Sequence, residues 1–201
     1  MESTGIEIRE VASRSDMKHF ISVPWTIYRD DPCWVPPLKF ERKEAFSPKN
    51  PFFLHARWKA WIACLNGQPV GRISAQIDDL YLAKHDPNTG FFGLIESIED
   101  PRVSAALFEA AENWLRAEGM NSVIGPFNLG IHQEIGCLVE GFESPPYLLM
   151  GHARPYYEGM IKSVGYGQES VVRAFEVERV QFGLRATVKG VVRRQGSKMS
   201  R

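Results

Sequence analysis

With 201 residues, 44% of them hydrophobic and 24% charged, the chain has the size and balance of one ordinary globular domain with at most a tail. Its formal net charge of zero conceals a split: seven Lys/Arg and no Asp/Glu follow Glu178, while residues 1–178 hold 17 Lys/Arg against 24 Asp/Glu. An acidic body excludes a nucleic-acid groove in the folded part, no run approaches the 18 apolar residues of a membrane span, and three scattered cysteines (Cys33, Cys64, Cys137) form neither a CxxC pair nor a disulfide framework.

Free cysteines and an N-terminus without a basic, then apolar, leader point to a reducing, cytoplasmic setting. Ile6 to Val11 alternates apolar and charged residues and reads as a first strand. Ser13 or Ser15 is placed to cap a helix carrying Met17, Phe20 and Ile21, which Pro24 should break or restart. Asp30 to Leu38 is proline-rich and aromatic, too apolar for a linker, and is expected to lie along the domain as a wall or lid. A short helix is expected over Lys39 to Ala45. Arg57 to Ile77 reads as a hairpin about Asn66-Gly67, a preferred type I′ pair, and its strands are apolar on both faces, so both faces should be covered.

Gly90 to Asn128 is the organising stretch. A buried strand runs to Ser97, followed by Asp100 as N-cap and Pro101 at the first helical position. Val103, Leu107, Ala110, Ala111 and Trp114 make one helical face, Gly119 ends the helix, and Ser122 to Phe127 is a second strand. Strand, helix, strand implies a parallel pair, and ligands bind at the carboxyl ends of such strands. Glu96, alternating with Phe92 and Leu94, and Asn128 fall at those ends. Leu129 to Tyr147 is long for a structureless loop, which points to function. Leu148 to Met150 reads as a short strand, Arg154 to Val164 as a helix, and Ser170 to Val177 as a last strand. Residues 178–201 form a basic tail, disordered or cut short, that could touch an anionic membrane surface.

This order of elements, closing on Tyr156-Tyr157 and Gly165-Tyr166, resembles the GNAT acyltransferase superfamily. Trp34-Val35-Pro36-Pro37-Leu38, Asn50-Pro51-Phe52-Phe53, Gly90-Phe91-Phe92-Gly93, Gly125-Pro126-Phe127-Asn128, Gly141-Phe142 and Pro155-Tyr156-Tyr157 resemble, in order, a bacterial subfamily of N-acetyltransferases that includes bacterial ceramide synthases. The resemblance implies a three-layer α/β fold of mixed α+β character for residues 1–177, with a twisted mixed sheet of six to seven strands between helices. It implies transfer of an acyl group from acyl-CoA, acetyl-CoA or a similar thioester to an amine, which could be small or a long-chain, sphingoid-type lipid amine. Under it, Glu96 and Glu134 are the candidate bases, Tyr156 or Tyr157 the acid for a departing thiolate, and Ser97, Phe127 and Asn128 the contacts of the acyl carrier. Each also has a plain reading as a strand-end, turn or core residue. Five scattered histidines offer no metal-ligand spacing.

One departure stands out. GNAT members hold the CoA pyrophosphate with a glycine-rich turn before the central helix, whereas Ile95 to Asp100 has no glycine and three carboxylates. That opposes an anion at the helix start and leaves a second reading open: a non-catalytic binding module or an inactive, truncated remnant. The Arg-Glu-x-x-Glu-Glu helix of a pyrophosphohydrolase, a P-loop, a Gly-x-Ser-x-Gly elbow and a dinucleotide fingerprint are absent.

Overall fold

The computed structural model describes residues 5–174. Strand β1 (Ile6–Glu10) leads to helix α1 (Arg14–Ile27), whose N-cap is Ser13. The Ser13 hydroxyl accepts from the Asp16 N–H and the Asp16 carboxylate accepts from the Ser13 N–H, a reciprocal capping box. Pro24 does not end α1, contrary to expectation; the helix runs three residues past it. The proline removes the N–H that would bond the Phe20 carbonyl, and the Arg72 guanidinium supplies a donor in its place at 3.1 Å.

Helix α2 (Lys39–Ala45) lies where the sequence puts it, and a 3-10 turn at Pro51–Leu54 precedes the hairpin β2 (Ala56–Leu65) and β3 (Gln68–Asp78). Asn66 and Gly67 both have positive φ, 52° and 76°, as the type I′ turn requires. A short helix α3 (Asp79–Leu82) and strand β4 (Thr89–Ser97) follow, then α4 (Pro101–Ala117), β5 (Ser122–Ile124) and α5 (Tyr157–Ser163). The sheet order is β1-β2-β3-β4-β5, antiparallel except for the parallel pair β4–β5.

The sheet is sandwiched. Trp58, Ala60, Ile62 and Cys64 of β2 pack with Phe20, Ile21 and Val23 of α1. On the other face Trp61 meets Trp114 of α4, and Phe92 of β4 meets Phe108 of α4. Each fully buried Phe, Ile or Leu in these layers contributes about 1.5–3 kcal/mol.

Among the described residues the sheet has five strands, not six to seven. Leu148 to Met150 is not a strand: only Met150 bridges to Ile135, Leu149 has φ 63°, and Leu148 is 91% exposed. Nor do residues 170–174 form one, and 175–177 lie outside the described residues, as does the basic tail. The chain divides into a body through Val164 and a separate unit from Gly165 onward.

Candidate active site

The site is set by a bulge in β4. Ser74 of β3 pairs with Gly93, but Arg72, two residues away, pairs with Glu96, three residues away. The extra residue falls where Leu94 adopts φ 50°. Strict alternation would put Glu96 on the face of Phe92, under α4. The bulge turns it to the opposite face, across from Arg72 and beneath α1, which corrects the simple alternation read from the sequence. The bulge also frees the Leu94 N–H from the ladder, and Asn128 Oδ1 accepts it at 2.7 Å.

The segment after β5 presses on this bulge. The Phe127 N–H bonds the Phe92 carbonyl at 2.8 Å, and a Cβ on Gly93 would lie 1.8 Å from the Phe127 carbonyl oxygen, so only glycine fits. Buried Gln76 donates to the carbonyls of Phe127 and Leu129, 2.7 and 3.1 Å away, satisfying two acceptors of a chain that has left the sheet.

Glu96 is buried at the floor of a cavity of about 110 Å³. Its Oε2 accepts from the Tyr157 hydroxyl at 2.7 Å, and its Oε1 lies 3.6 Å from an Arg72 nitrogen. Burial pushes the Glu96 carboxyl above its ordinary range, opposed by the Arg72 charge and the Tyr157 hydrogen bond. Burial likewise lowers Arg72, opposed by Glu96. The Tyr157 hydroxyl also accepts the Ser97 N–H at 3.0 Å, while Tyr156 donates to the Ser97 carbonyl at 2.6 Å. The tyrosine pair of α5 therefore clamps the carboxyl end of β4, and burial raises Tyr157 well above 10 and Tyr156 to about 12.

The remaining expected residues fall in two groups. Glu134 and Asn128 face the cavity with Glu96 and Tyr157. Asn128 Nδ2 donates to Glu134 Oε2 at 2.9 Å, and Glu134 Oε1 lies 3.6 Å from Arg42 of α2, which ties the long loop to the opposite wall. Ser97, Phe127 and Tyr156 do not line the cavity. The Ser97 hydroxyl donates to the Ile98 carbonyl at 2.8 Å, and the Phe127 ring packs on Phe91.

The proline-rich stretch supplies the far wall, as expected: Trp34, Val35 and Pro37 line the cavity with Trp25 and Tyr28 of the α1 end. Trp34 stacks on Tyr28 at 5.2 Å and meets Trp25 edge-on at 5.3 Å. Arg72, Tyr28, Arg42 and His152 line the same cavity and were not singled out from the sequence as site residues. A signal for Arg72 existed: Arg72, Ser74 and Gln76 put polar groups at every second position of a strand whose other face is wholly apolar.

At the start of α4 the acidic departure has a structural counterpart. Pro101 has no N–H, the Arg102 N–H is taken by the Asp100 carboxylate at 2.9 Å, and the N–H groups of Val103 and Ser104 reach the Asp100 carbonyl. Asp100 is further paired with the Arg102 guanidinium. The backbone donors that would hold a pyrophosphate are already engaged. Among the described residues no group of three His, Cys, Asp or Glu side chains could hold a metal ion.

Comparison with solved structures gives the architecture. The chain matches an aminoglycoside acetyltransferase from an uncultured soil metagenomic sample, in complex with sisomicin, at TM-score 0.51 and 10% identity over 86% of this chain and 96% of that one. It matches a tandem GNAT protein from the clavulanic acid biosynthesis pathway at TM-score 0.55 and 12% identity, over 84% of this chain and 46% of that one. A predicted acetyltransferase from Clostridium acetobutylicum, solved with acetyl-CoA, matches at TM-score 0.51 and 12% identity over 87% and 96%. This is the GNAT fold. In sequence the GNAT-fold chain is 44% identical over 182 residues to protein YghO of Escherichia coli K12, covering 90% of this chain and 47% of that protein. It is 41% identical over 175 residues to the bacterial ceramide synthase of Caulobacter vibrioides, covering 86% and 46%. The chain thus spans about half the length of the curated relatives it matches. No family model matches it.

Proposed function

We propose that this chain carries the site of an N-acyltransferase, which moves an acyl group from a thioester carrier such as acyl-CoA to an amine bound in the cavity. One observation carries the reading: a carboxylate raised by burial, Glu96, sits at the floor of an aromatic-walled cavity at the carboxyl end of the parallel strand pair. A base works best when its pKa approaches the working pH, and burial moves the Glu96 carboxyl in that direction. As the amine nitrogen attacks the thioester carbon, Glu96 takes a proton from it. The carbon–sulfur bond breaks, and Glu96 returns that proton to the departing sulfur. Tyr157 holds the carboxylate, Arg72 balances its charge, and Asn128 fixes the bulge.

The apolar walls of Trp25, Trp34 and Pro37 suit a long-chain amine or acyl group. The relative named bacterial ceramide synthase supports an amine of sphingoid type, and the fold neighbour solved with acetyl-CoA supports CoA as carrier. A second reading, a binding module without catalysis, is favoured by the engaged donors at the start of α4.

Incubation with mixed acyl-CoAs, short and long primary amines and a lipid extract, read by mass spectrometry, is expected to give new amides. Glu96→Gln is expected to lower their rate by about 10²–10⁴-fold, the span of a lost general base. Amide formation by Glu96→Gln at the wild-type rate, or its absence from every mixture, would overturn the reading.

A further inference from the structure

The cavity is lined by two carboxylates, and they are not equally open. Both Glu96 oxygens face partners on the protein: Oε2 accepts from the Tyr157 hydroxyl, and Oε1 lies toward the buried Arg72 guanidinium. Only 12% of the Glu96 side chain is exposed, against 30% for Glu134. Glu134 therefore presents the more accessible carboxylate to a molecule entering the cavity.

The two Glu134 oxygens differ. Oε2 accepts from Asn128 Nδ2 at 2.9 Å. Oε1 accepts no hydrogen bond among the described residues; its ion-pair partner, Arg42 Nη1, is 3.6 Å away, too far for one. Arg42 approaches through a single nitrogen rather than as a two-pronged fork, and its side chain is itself partly exposed, so water competes for the pair. A carboxylate oxygen with spare lone pairs thus stands open to a stronger donor.

Asn128 makes this carboxylate a fixed part of the site. Its Oδ1 accepts the Leu94 N–H at the β4 bulge while its Nδ2 holds Glu134, so one side chain sets Glu134 against the strand that carries Glu96. The two carboxylates sense one another, since the Glu134 charge is among the causes that raise Glu96. A cation at Glu134 Oε1 would share the cavity with that base and with the aromatic wall of Trp25 and Trp34.

We propose that Glu134 Oε1 is the seat of the acceptor's ammonium, so that Glu134 selects a cationic amine over a neutral hydroxyl compound of the same shape; the proposal rests on the N-acyltransferase reading above. An ammonium brings three N–H donors and a positive charge to an oxygen that lacks a hydrogen bond, whereas an alcohol brings one donor and no charge. Glu134 is a binding residue, distinct from Glu96, which takes the proton lost during attack. In this role Arg42 competes with the ammonium for one oxygen. A Glu134 that only tethered the loop to α2 would instead need Arg42 to keep the cavity in shape.

Paired variants separate the two roles. Glu134→Gln keeps an oxygen for Asn128 and removes the charge, and Arg42→Gln removes the competing cation. In calorimetric titrations with hexylamine, without any acyl donor, the affinity is expected to fall at least about fivefold in Glu134→Gln and to rise at least about twofold in Arg42→Gln. Hexanol is expected to bind the wild type and both variants alike. A wild type that does not bind hexylamine, a Glu134→Gln affinity equal to the wild type's, or an affinity lowered in both variants overturns the proposal. In steady-state kinetics Glu134→Gln is expected to raise the KM for hexylamine at least about fivefold with kcat held within about threefold, the split left by lost binding. A fall in kcat at unchanged KM would make Glu134 part of the chemistry and overturns it as well. If amides never form while the titrations follow the stated pattern, the acyltransferase reading fails and the ammonium seat stands. If Glu134→Gln forms amides at the wild-type KM, the seat fails and that reading stands.

Discussion

Tyr157 serves two partners with one oxygen: it donates to Glu96 and accepts from the Ser97 N–H. Both partners are buried, so Tyr157→Phe takes one hydrogen bond from the Glu96 carboxylate and leaves the Ser97 N–H without this acceptor. The expected cost is about 1–3 kcal/mol, or roughly 2–4 °C in melting temperature per kcal/mol for a chain of this size. The hydrogen bond also lowers Glu96, so its loss raises that carboxyl further. On the proposed reading Glu96 acts as a base only when ionised, so activity is expected to rise with pH through its raised value. In Tyr157→Phe that rise moves to higher pH. Tyr156→Phe, which loses only a bond to the Ser97 carbonyl, is expected to leave the profile in place. Pairs of pH–rate curves check both statements, and a Tyr157→Phe curve superimposable on the wild type would refute the coupling. Of the residues that strand ends and the family resemblance put forward, Glu96, Glu134, Asn128 and Tyr157 line one cavity, while Ser97, Phe127 and Tyr156 do not. The sequence could not show that Glu96 and Phe92 take opposite faces, since a one-residue bulge has no signature in composition. Nor could it show His152 turning from a loop residue into a buried partner of Asp31, 121 positions away.

At the scale of elements, α1 is continuous only because another element completes it. Pro24 opens a gap at the Phe20 carbonyl, and Arg72 of β3 closes it from across the layer. The same guanidinium faces Glu96, so the helix defect fixes a group of the site. Local physics predicts a helix that breaks or restarts at Pro24; a donor 52 residues from the Phe20 carbonyl overrides it. Pro24→Ala restores the backbone donor and sets it against Arg72 for one acceptor. Alanine is favoured by about 3 kcal/mol in a helix interior, against roughly 1.6 kcal/mol for two lost buried methylenes. The expected result is a melting temperature raised by a few degrees. The released Arg72 loses a hydrogen bond of about 1–1.5 kcal/mol, and acyl transfer is expected to fall roughly tenfold. Thermal unfolding and initial rates measured on one preparation check the trade. A variant both more stable and fully active would show that the Phe20 carbonyl does not position Arg72.

For the molecule as a whole, three layers, the hairpin and the parallel β4–β5 pair follow from periodicity and turn chemistry, which act locally. The additional strands expected after β5 do not, because β5 is only three residues long and the chain leaves the ladder at Gly125 to press on the β4 bulge. Leu148 to Met150 thus forms no strand: Met150 lines the cavity, while Leu148 and Leu149 are exposed. The same global arrangement governs the acyl donor. On the acyltransferase reading proposed above, the pyrophosphate of an acyl-CoA would meet the start of α4, where the resemblance puts its glycine-rich turn. Here Asp100 engages those donors and adds a negative charge, so the nucleotide end has no backbone cradle at that point. Under that reading recognition would fall on the thioester and acyl chain. An acyl-pantetheine, which lacks the nucleotide and its pyrophosphate, is expected to show a KM within a few-fold of the matching acyl-CoA. Asp100→Ala, which frees the Arg102 N–H and removes the charge, is expected to lower the KM for acyl-CoA while leaving that for acyl-pantetheine unchanged, because only the former carries phosphates that gain from the change. Steady-state kinetics with both donors decides it: a wild-type preference for acyl-CoA of 100-fold or more, about 2.7 kcal/mol, would mean that the nucleotide is held by residues other than the start of α4.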